Sequence, residues 1–96
     1  MKIDFSKNNG ALNISLDGRL DTVTAPELES FISENYSGEG NITIDCEKLT
    51  YVSSAGLRVF LATHKKAKGM MKLTKVCELV NEVFAITGFS DFLVIE

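Results

Sequence analysis

The centre of the chain, residues 49–61, decides the fold and reads LTYVSSAGLRVFL. Upstream of it, Ile42, Ile44 and Cys46 alternate with polar neighbours, which predicts a β-strand over residues 41–46. Residues 47–53 then lead into a helix that begins near Ser54 and ends at Gly69, a typical C-cap residue. The stripe of this helix that should face the core contains Leu57, Phe60, Leu61 and His64.

Two strands and a helix precede this unit. The turn residues 7–10, Lys-Asn-Asn-Gly, separate two short alternating patterns, so we expect an antiparallel hairpin. Further on, Thr24 and Glu27 have the spacing of a capping box, and Pro26 sits in the first turn, so a helix is predicted over residues 25–36. The alternating apolar positions of the hairpin are Ile3, Phe5, Leu12, Ile14 and Leu16.

The C-terminal third repeats the alternation of strand and helix. Residues 71–76 read as a strand, residues 78–87 as a helix, and residues 92–95 as a last short strand. The order is β-β-α-β-α-β-α-β, and helical crossovers join the later strands in parallel. We therefore predict one α/β domain over residues 1–96, with a mixed sheet of four to five strands and helices packed on one side. The third helix should turn Leu79, Val80, Val83 and Phe84 inward.

Composition narrows the class of protein. The chain has 96 residues and a net charge of -3. Its hydrophobic content of 45% is too high for a disordered chain, and it has no apolar run long enough to cross a bilayer. The N-terminus lacks the apolar stretch of a signal peptide, and the two cysteines form no metal-ligand motif, so we expect a cytoplasmic protein with reduced thiols. We also expect a monomer when free, with no membrane partner and no cofactor.

Charge is distributed unevenly along the chain. Residues 1–47 carry three basic and nine acidic side chains, whereas residues 48–96 carry seven basic and four acidic ones. Few aromatic residues accompany the lysines of the second half, so nucleic-acid binding is not expected and these lysines are interpreted as a solvated helix end. The cluster consists of Lys65, Lys66, Lys68, Lys72 and Lys75.

Chemistry could reside at the paired serines, Ser53 and Ser54, because they precede a helix whose free N–H groups and dipole favour negative charge. The structural alternative is that Ser53 is the N-cap and Ser54 the first helical residue. Gly56, without a side chain, would let another molecule approach the helix start.

Catalysis by these serines is not expected. The only histidine, His64, lies ten residues beyond Ser54, which is about 15 Å along a helix, so no Ser-His pair forms. His64 is interpreted as a half-buried structural residue, and the cysteines as small core residues. The sequence predicts neither catalytic nor metal-binding residues, and the protein is expected not to be an enzyme.

Two segments together carry a family resemblance. Gly18-Arg19-Leu20-Asp21 is followed by Thr24-Ala25-Pro26-Glu27-Leu28, and Tyr51-Val52-Ser53-Ser54-Ala55-Gly56-Leu57-Arg58 comes later. With the predicted β/α order, they resemble the STAS domain, specifically its stand-alone anti-sigma factor antagonists, over nearly the whole chain. In that family a serine at the start of the second helix is phosphorylated by an anti-sigma factor that is also a serine kinase, and a metal-dependent serine phosphatase restores it.

The resemblance implies which residues matter. It makes Ser54 the phosphoacceptor. Many members have aspartate just before that serine, whereas this chain has a second serine there, so Ser53 is the alternative acceptor. Asp21 matches an aspartate that lies beside the phosphoacceptor in the family; its alternative role is to cap the backbone of Val23 or Thr24. The implied partner-binding surface consists of Asp21, Thr22, Ser53, Ser54, Gly56, Leu57 and Arg58.

The expected function follows from the same resemblance. The unphosphorylated chain would sequester the anti-sigma factor kinase and so release a sigma factor. The alternative is a STAS-like scaffold or ligand-binding module of a transporter or signalling complex, which a saturable thermal shift with GTP or ATP would reveal. Longer members carry a further helix after the last strand, so the surface it would cover is expected to be exposed or used by a partner.

Overall fold

The fold alternates strands and helices along the whole chain. A computed structural model describes all 96 residues, Met1–Glu96. A single 3-10 turn, Phe89–Asp91, follows the last helix. The regular elements are β1 (Lys2–Asn8), β2 (Ala11–Leu20), α1 (Ala25–Asn35), β3 (Ile42–Val52), α2 (Ser54–Ala67), β4 (Met71–Thr74) and α3 (Glu78–Thr87).

The four strands form one mixed sheet in the order β1-β2-β3-β4. β1 and β2 pair antiparallel through a tight turn in which Asn9 and Gly10 both have positive φ, of 50° and 84°. β2 pairs parallel with β3, and β3 pairs parallel with β4. The predicted antiparallel start and parallel additions are therefore confirmed.

The helices cover one face of this sheet. Along β2 and β3 the buried side chains alternate with polar ones, so that Ile14 and Ile44 point into the core whereas Ser15 and Asp45 do not. Phe60 of α2 and Phe84 of α3 meet edge to face there, with ring centroids 6.1 Å apart. The prediction of helices on one side of the sheet is confirmed.

Three predicted strand limits were wrong. The strand predicted over residues 71–76 ends at Thr74. β3 continues six residues beyond Cys46, to Val52, because it goes on pairing with β2 as far as Leu20. Two register shifts in this pairing break the alternation of buried and exposed residues. The later buried residues, Leu49 and Val52, are therefore three positions apart instead of two, and this spacing does not predict a strand. The last strand, predicted over residues 92–95, is reduced to one parallel bridge between Ile95 and Leu73.

Helix ends and faces also required correction. The capping box does not form, because the Thr24 side chain makes no cap hydrogen bond to α1. α2 ends at Ala67, and its C-cap is Lys68 in a left-handed conformation with φ 52°, one residue before the predicted C-cap Gly69. Leu79, predicted to face inward, is 60% exposed, although Val80 and Phe84 are buried. None of the helices is both long enough and apolar enough to cross a membrane.

Candidate functional site

The paired serines lie at the edge of the sheet where β2 and β3 end. Leu20 and Val52 are register partners, and the Ser53 N–H donates to the Leu20 carbonyl oxygen at 2.8 Å. α2 begins at the next residue. Because parallel strands end at the same edge, the loop after β2 and the start of α2 lie side by side.

The two serines have different roles. Ser53 is the N-cap of α2: its backbone is extended, and its Oγ accepts the Gly56 N–H at 3.3 Å. Ser53 is also half-buried. Ser54 is the first helical residue and is exposed, and its hydroxyl takes part in none of the side-chain hydrogen bonds of the structure. The structure therefore leaves the Ser54 hydroxyl free, at the positive end of a fourteen-residue helix.

Gly56 and Leu57, which the resemblance includes in the partner-binding surface, are buried in the free chain. A Cβ atom added to Gly56 would lie 2.7 Å from Leu20 Cγ and 3.1 Å from the Leu20 carbonyl oxygen. The space left by the missing side chain is thus filled by this protein's own strand β2, and is not open to another molecule. Gly56 and Leu57 thus pack the start of α2, which carries Ser54, against the core.

Asp21 organises the loop that faces the serines. Its Oδ1 accepts the N–H groups of Val23 and Thr24, each at 3.0 Å. The Thr24 Oγ1 accepts the Asp21 N–H at 2.8 Å and donates to the Arg19 carbonyl oxygen at 2.7 Å. The hydrogen bond from the Thr24 backbone is the largest influence that lowers the pKa of Asp21 below its ordinary value. The capping role considered for Asp21 is confirmed, and these hydrogen bonds tie the loop together.

A small cleft lies between the loop after β2, α1 and the start of α2. Thr22 and Arg58 both line it, and its volume is about 170 Å³. Arg58 lies one helical turn beyond Ser54 and is exposed. The cleft is completed by residues that the sequence analysis did not assign to the site: Ala25, Pro26, Glu29, Ala55 and Val59.

A second missed feature lies next to the serines. The Arg19 guanidinium stacks over the Tyr51 ring, with Cζ 4.2 Å from the ring centroid. The two residues are register partners on β2 and β3, one position before each strand ends. The register shifts in this pairing hide their proximity from the sequence, since an unshifted alignment would place Arg19 opposite another residue.

Other chemically capable side chains lie away from this edge. His64 is half-buried on α2, and its Nδ1 is buried without a hydrogen-bond partner. Cys46 is fully buried, and burial raises its pKa to about 12. The structure contains no group of three or more His, Cys, Asp or Glu residues placed to share a metal ion.

Comparison with known proteins shows which proteins this chain is similar to. A family model described as the STAS domain matches residues 2–96. BtrV of Bordetella bronchiseptica, whose name marks it as a candidate anti-sigma factor antagonist, is 37% identical over 93% of this chain and 80% of its own length. The anti-sigma-B factor antagonist of Bacillus subtilis is 28% identical over 97% of this chain and 88% of its own length.

Solved structures share the fold. The anti-sigma factor antagonist SpoIIAA in its unphosphorylated form has a TM-score of 0.78 at 17% identity, over 99% of this chain and 88% of that one. SpoIIAA of Bacillus in its phosphorylated form has a TM-score of 0.71 at 17% identity, over 99% and 91%. The matching family model covers the whole fold described above, including the loop at Asp21 and the start of α2. The chain belongs to the STAS domain family.

Proposed function

We propose that this protein is an anti-sigma factor antagonist controlled by phosphorylation of Ser54. Its unphosphorylated form binds an anti-sigma factor that is also a serine kinase, and this binding releases a sigma factor. The observation that carries the proposal is the exposed Ser54 hydroxyl, free of hydrogen bonds at the start of α2. The names of two relatives that match almost the whole chain support the same partner class.

Ser54 suits the role of phosphoacceptor better than Ser53. The Ser53 Oγ is already used as the helix cap, and a phosphate there would disturb the hydrogen bond from the Gly56 N–H. A kinase must bring the acceptor hydroxyl in line with the γ-phosphate of its nucleotide, which an exposed side chain permits. Ser54 meets this requirement without any change in the fold.

Phosphorylation would act on the partner surface and leave the fold intact. A phosphate adds roughly -1.5 to -2 charge, and a helix N-terminus tolerates such an anion. Placed within a docking face, the same charge costs desolvation and repels carboxylates opposite, and a loss of about 3 kcal/mol weakens binding by more than a hundredfold. Arg58, one turn further along α2, is placed to pair with the phosphate.

The proposal has three further parts. The chain acts by binding alone and is not itself an enzyme, because Ser54 has no histidine within reach on its helix. A metal-dependent serine phosphatase removes the phosphate and returns the chain to its binding form. The protein works in the bacterial cytoplasm, where a sigma factor directs transcription.

Calorimetry with the serine kinase encoded nearest to the gene tests the proposal. Ser54→Ala should bind as tightly as the unphosphorylated chain, and Ser54→Asp should bind at least tenfold more weakly. Ala62→Asp, which adds the same charge at an exposed position two turns further along α2, is the matched control and should bind normally. Equal affinities for the two Ser54 variants would overturn the proposal.

Mass spectrometry identifies the acceptor. After incubation with the kinase and ATP, the phosphate should be on Ser54, and the Ser54→Ala variant should take up none. Adding the phosphatase with Mn²⁺ should remove it. Phosphate found on Ser53 alone would contradict the assignment.

A further inference from the structure

The C-terminal part of the chain differs sharply in charge from the part before it. Residues 48–75 carry seven basic side chains and no acidic one. Residues 76–96 carry no basic side chain and four acidic ones, Glu78, Glu82, Asp91 and Glu96. The charged side chains of α3 and the segment after it are therefore all acidic, and only Glu96 among them has an ion-pair partner, Lys72 at 3.3 Å.

The same part of the chain exposes large apolar side chains. On α3, Leu79 is 60% exposed and Ile86 is 84% exposed. They are seven residues apart, so they lie on the same side of the helix, two turns from each other. Phe92 and Val94 of the following segment are 54% and 38% exposed, so this short region contains half of the eight large hydrophobic residues that the chain exposes.

An open groove lies against α3. Leu79 and Ile86 do not line it, but Glu82, which does, is three residues from Leu79 and four from Ile86 and so neighbours both on the helix surface. The volume of the groove is about 550 Å³, and its lining comprises Val76, Glu78, Asn81, Glu82, Ala85 and Ser90. Glu78 and Glu82 lie one turn apart and bring two carboxylates to the groove. The stretch from Glu78 to Ala85 rises about 10 Å along α3, which matches roughly two turns of a helix laid beside it.

We propose that the outer side of α3 is a docking surface for a basic amphipathic helix of a partner protein. Such a helix would set apolar side chains against Leu79 and Ile86 and place Lys or Arg beside Glu78 and Glu82, which is the helix-in-groove mode of recognition. A second copy of this chain fits poorly, because α3 packed on α3 would bring four carboxylates together. The proposal is independent of phosphorylation at Ser54.

A pair of synthetic peptides tests this surface. One, of about 18 residues, has leucine at helical i, i+3, i+4 and i+7 spacing and lysine elsewhere; its control keeps the leucines and replaces each lysine by glutamate. In a two-dimensional NMR titration of the whole chain, the basic peptide should bind saturably and shift the amide signals of residues 76–90. The acidic peptide should shift none of them.

Variants separate a docking surface from general attraction between opposite charges. Leu79→Ser/Ile86→Ser and Glu78→Gln/Glu82→Gln should each weaken peptide binding by about tenfold or more, whereas Glu29→Gln/Glu34→Gln on α1 should not change it. Circular dichroism should show that all three fold like the parent chain. The Ser54→Asp variant should bind the peptide unchanged, which keeps this proposal separate from the proposed function.

Three results would overturn the proposal. The first is a set of shifts outside residues 76–90, and the second is binding that survives the change of Leu79 and Ile86 but not the change of the two glutamates. The third is concentration-dependent self-association of the parent chain, measured by sedimentation, that the Leu79→Ser/Ile86→Ser variant abolishes. This result would assign the surface to a second copy of the chain.

Discussion

The Leu20 carbonyl oxygen fixes the start of α2 against the end of β2 through Gly56. It accepts the Ser53 N–H at 2.8 Å, and it lies 3.1 Å from the position that a Cβ on Gly56 would occupy. The helix start can approach the strand this closely only where the side chain is a hydrogen atom. The position of Ser54 at the start of α2 therefore depends on two buried residues, Leu20 and Gly56.

Gly56→Ala should lower the free energy of unfolding by about 1–3 kcal/mol, because the added methyl group overlaps with the buried Leu20. This loss should exceed the gain of up to about 1 kcal/mol that alanine ordinarily brings to a helix. Urea denaturation measures the change. The control is Ala62→Gly at an exposed position of the same helix, which should cost about 1 kcal/mol. A Gly56→Ala variant more stable than the parent would contradict the packing described.

Ser54→Asp should leave the fold intact and raise its stability by about 0.3–1 kcal/mol at low salt, because a carboxylate in the first turn interacts favourably with the helix dipole. The gain should shrink in high salt as the charges are screened. Urea denaturation at two salt concentrations tests both points. Ala62→Asp, in the middle of α2, should show no such gain. If Ser54→Asp unfolds the chain, phosphorylation cannot act on the partner surface alone.

Asp21 should make stability depend on pH. Its hydrogen bonds lower its pKa in the folded chain below the ordinary value of 3.8, so its contribution is present above that pH and is lost as the pH falls through the lower folded value. The deficit of Asp21→Ala relative to the parent should thus be constant between about pH 5 and 7 and shrink below pH 3.8. Denaturant unfolding across this range gives the comparison.

Asp21→Asn is the matched control, because its amide oxygen can still accept hydrogen bonds while the group no longer titrates. Its stability deficit should be smaller than that of Asp21→Ala near neutral pH. An Asp21→Ala deficit that keeps the same size down to pH 2 would show that the carboxylate charge contributes nothing to the loop.

The two thiols should react at different rates. Burial raises the pKa of Cys46 to about 12, so at pH 8 the thiol is protonated and shielded, whereas Cys77 is only half-buried. Iodoacetamide should therefore modify Cys77 in the folded chain and both cysteines in urea, as read by mass spectrometry. In Cys77→Ser the folded chain should stay unmodified. Equal rates at the two sites in the folded parent would show that the core around Cys46 opens readily.

Much of the fold was predictable because its signals are local. The alternation of Leu12, Ile14 and Leu16 and the turn at Asn9 and Gly10 define the hairpin, and the crossover helices require parallel strands. The end of β3 and the bridge at Ile95 were not predictable, since both depend on where a neighbouring strand lies. Strand register is a tertiary property that a periodic pattern reports only indirectly.

The sequence predicted where the candidate site lies, but not which of its residues are buried and which are exposed. Ser53 and Ser54 carry a local cap signal, which located the helix start. The burial of Gly56 depends on its approach to Leu20, which is 36 positions away in sequence, and nothing near Gly56 in the chain reveals it. The exposure of Leu79 likewise depends on how α3 lies against the sheet, because helical periodicity alone leaves its apolar stripe wide enough to include that residue.

The strand order β1-β2-β3-β4 has a consequence for biosynthesis. Each strand lies beside the one made just before it, so no strand must be inserted between two others. A chain leaving the ribosome can therefore add strands at one growing edge as each is synthesised. The position of Ser54 depends on the pairing of β3 with β2, and both of these strands precede β4 and α3 in the order of synthesis.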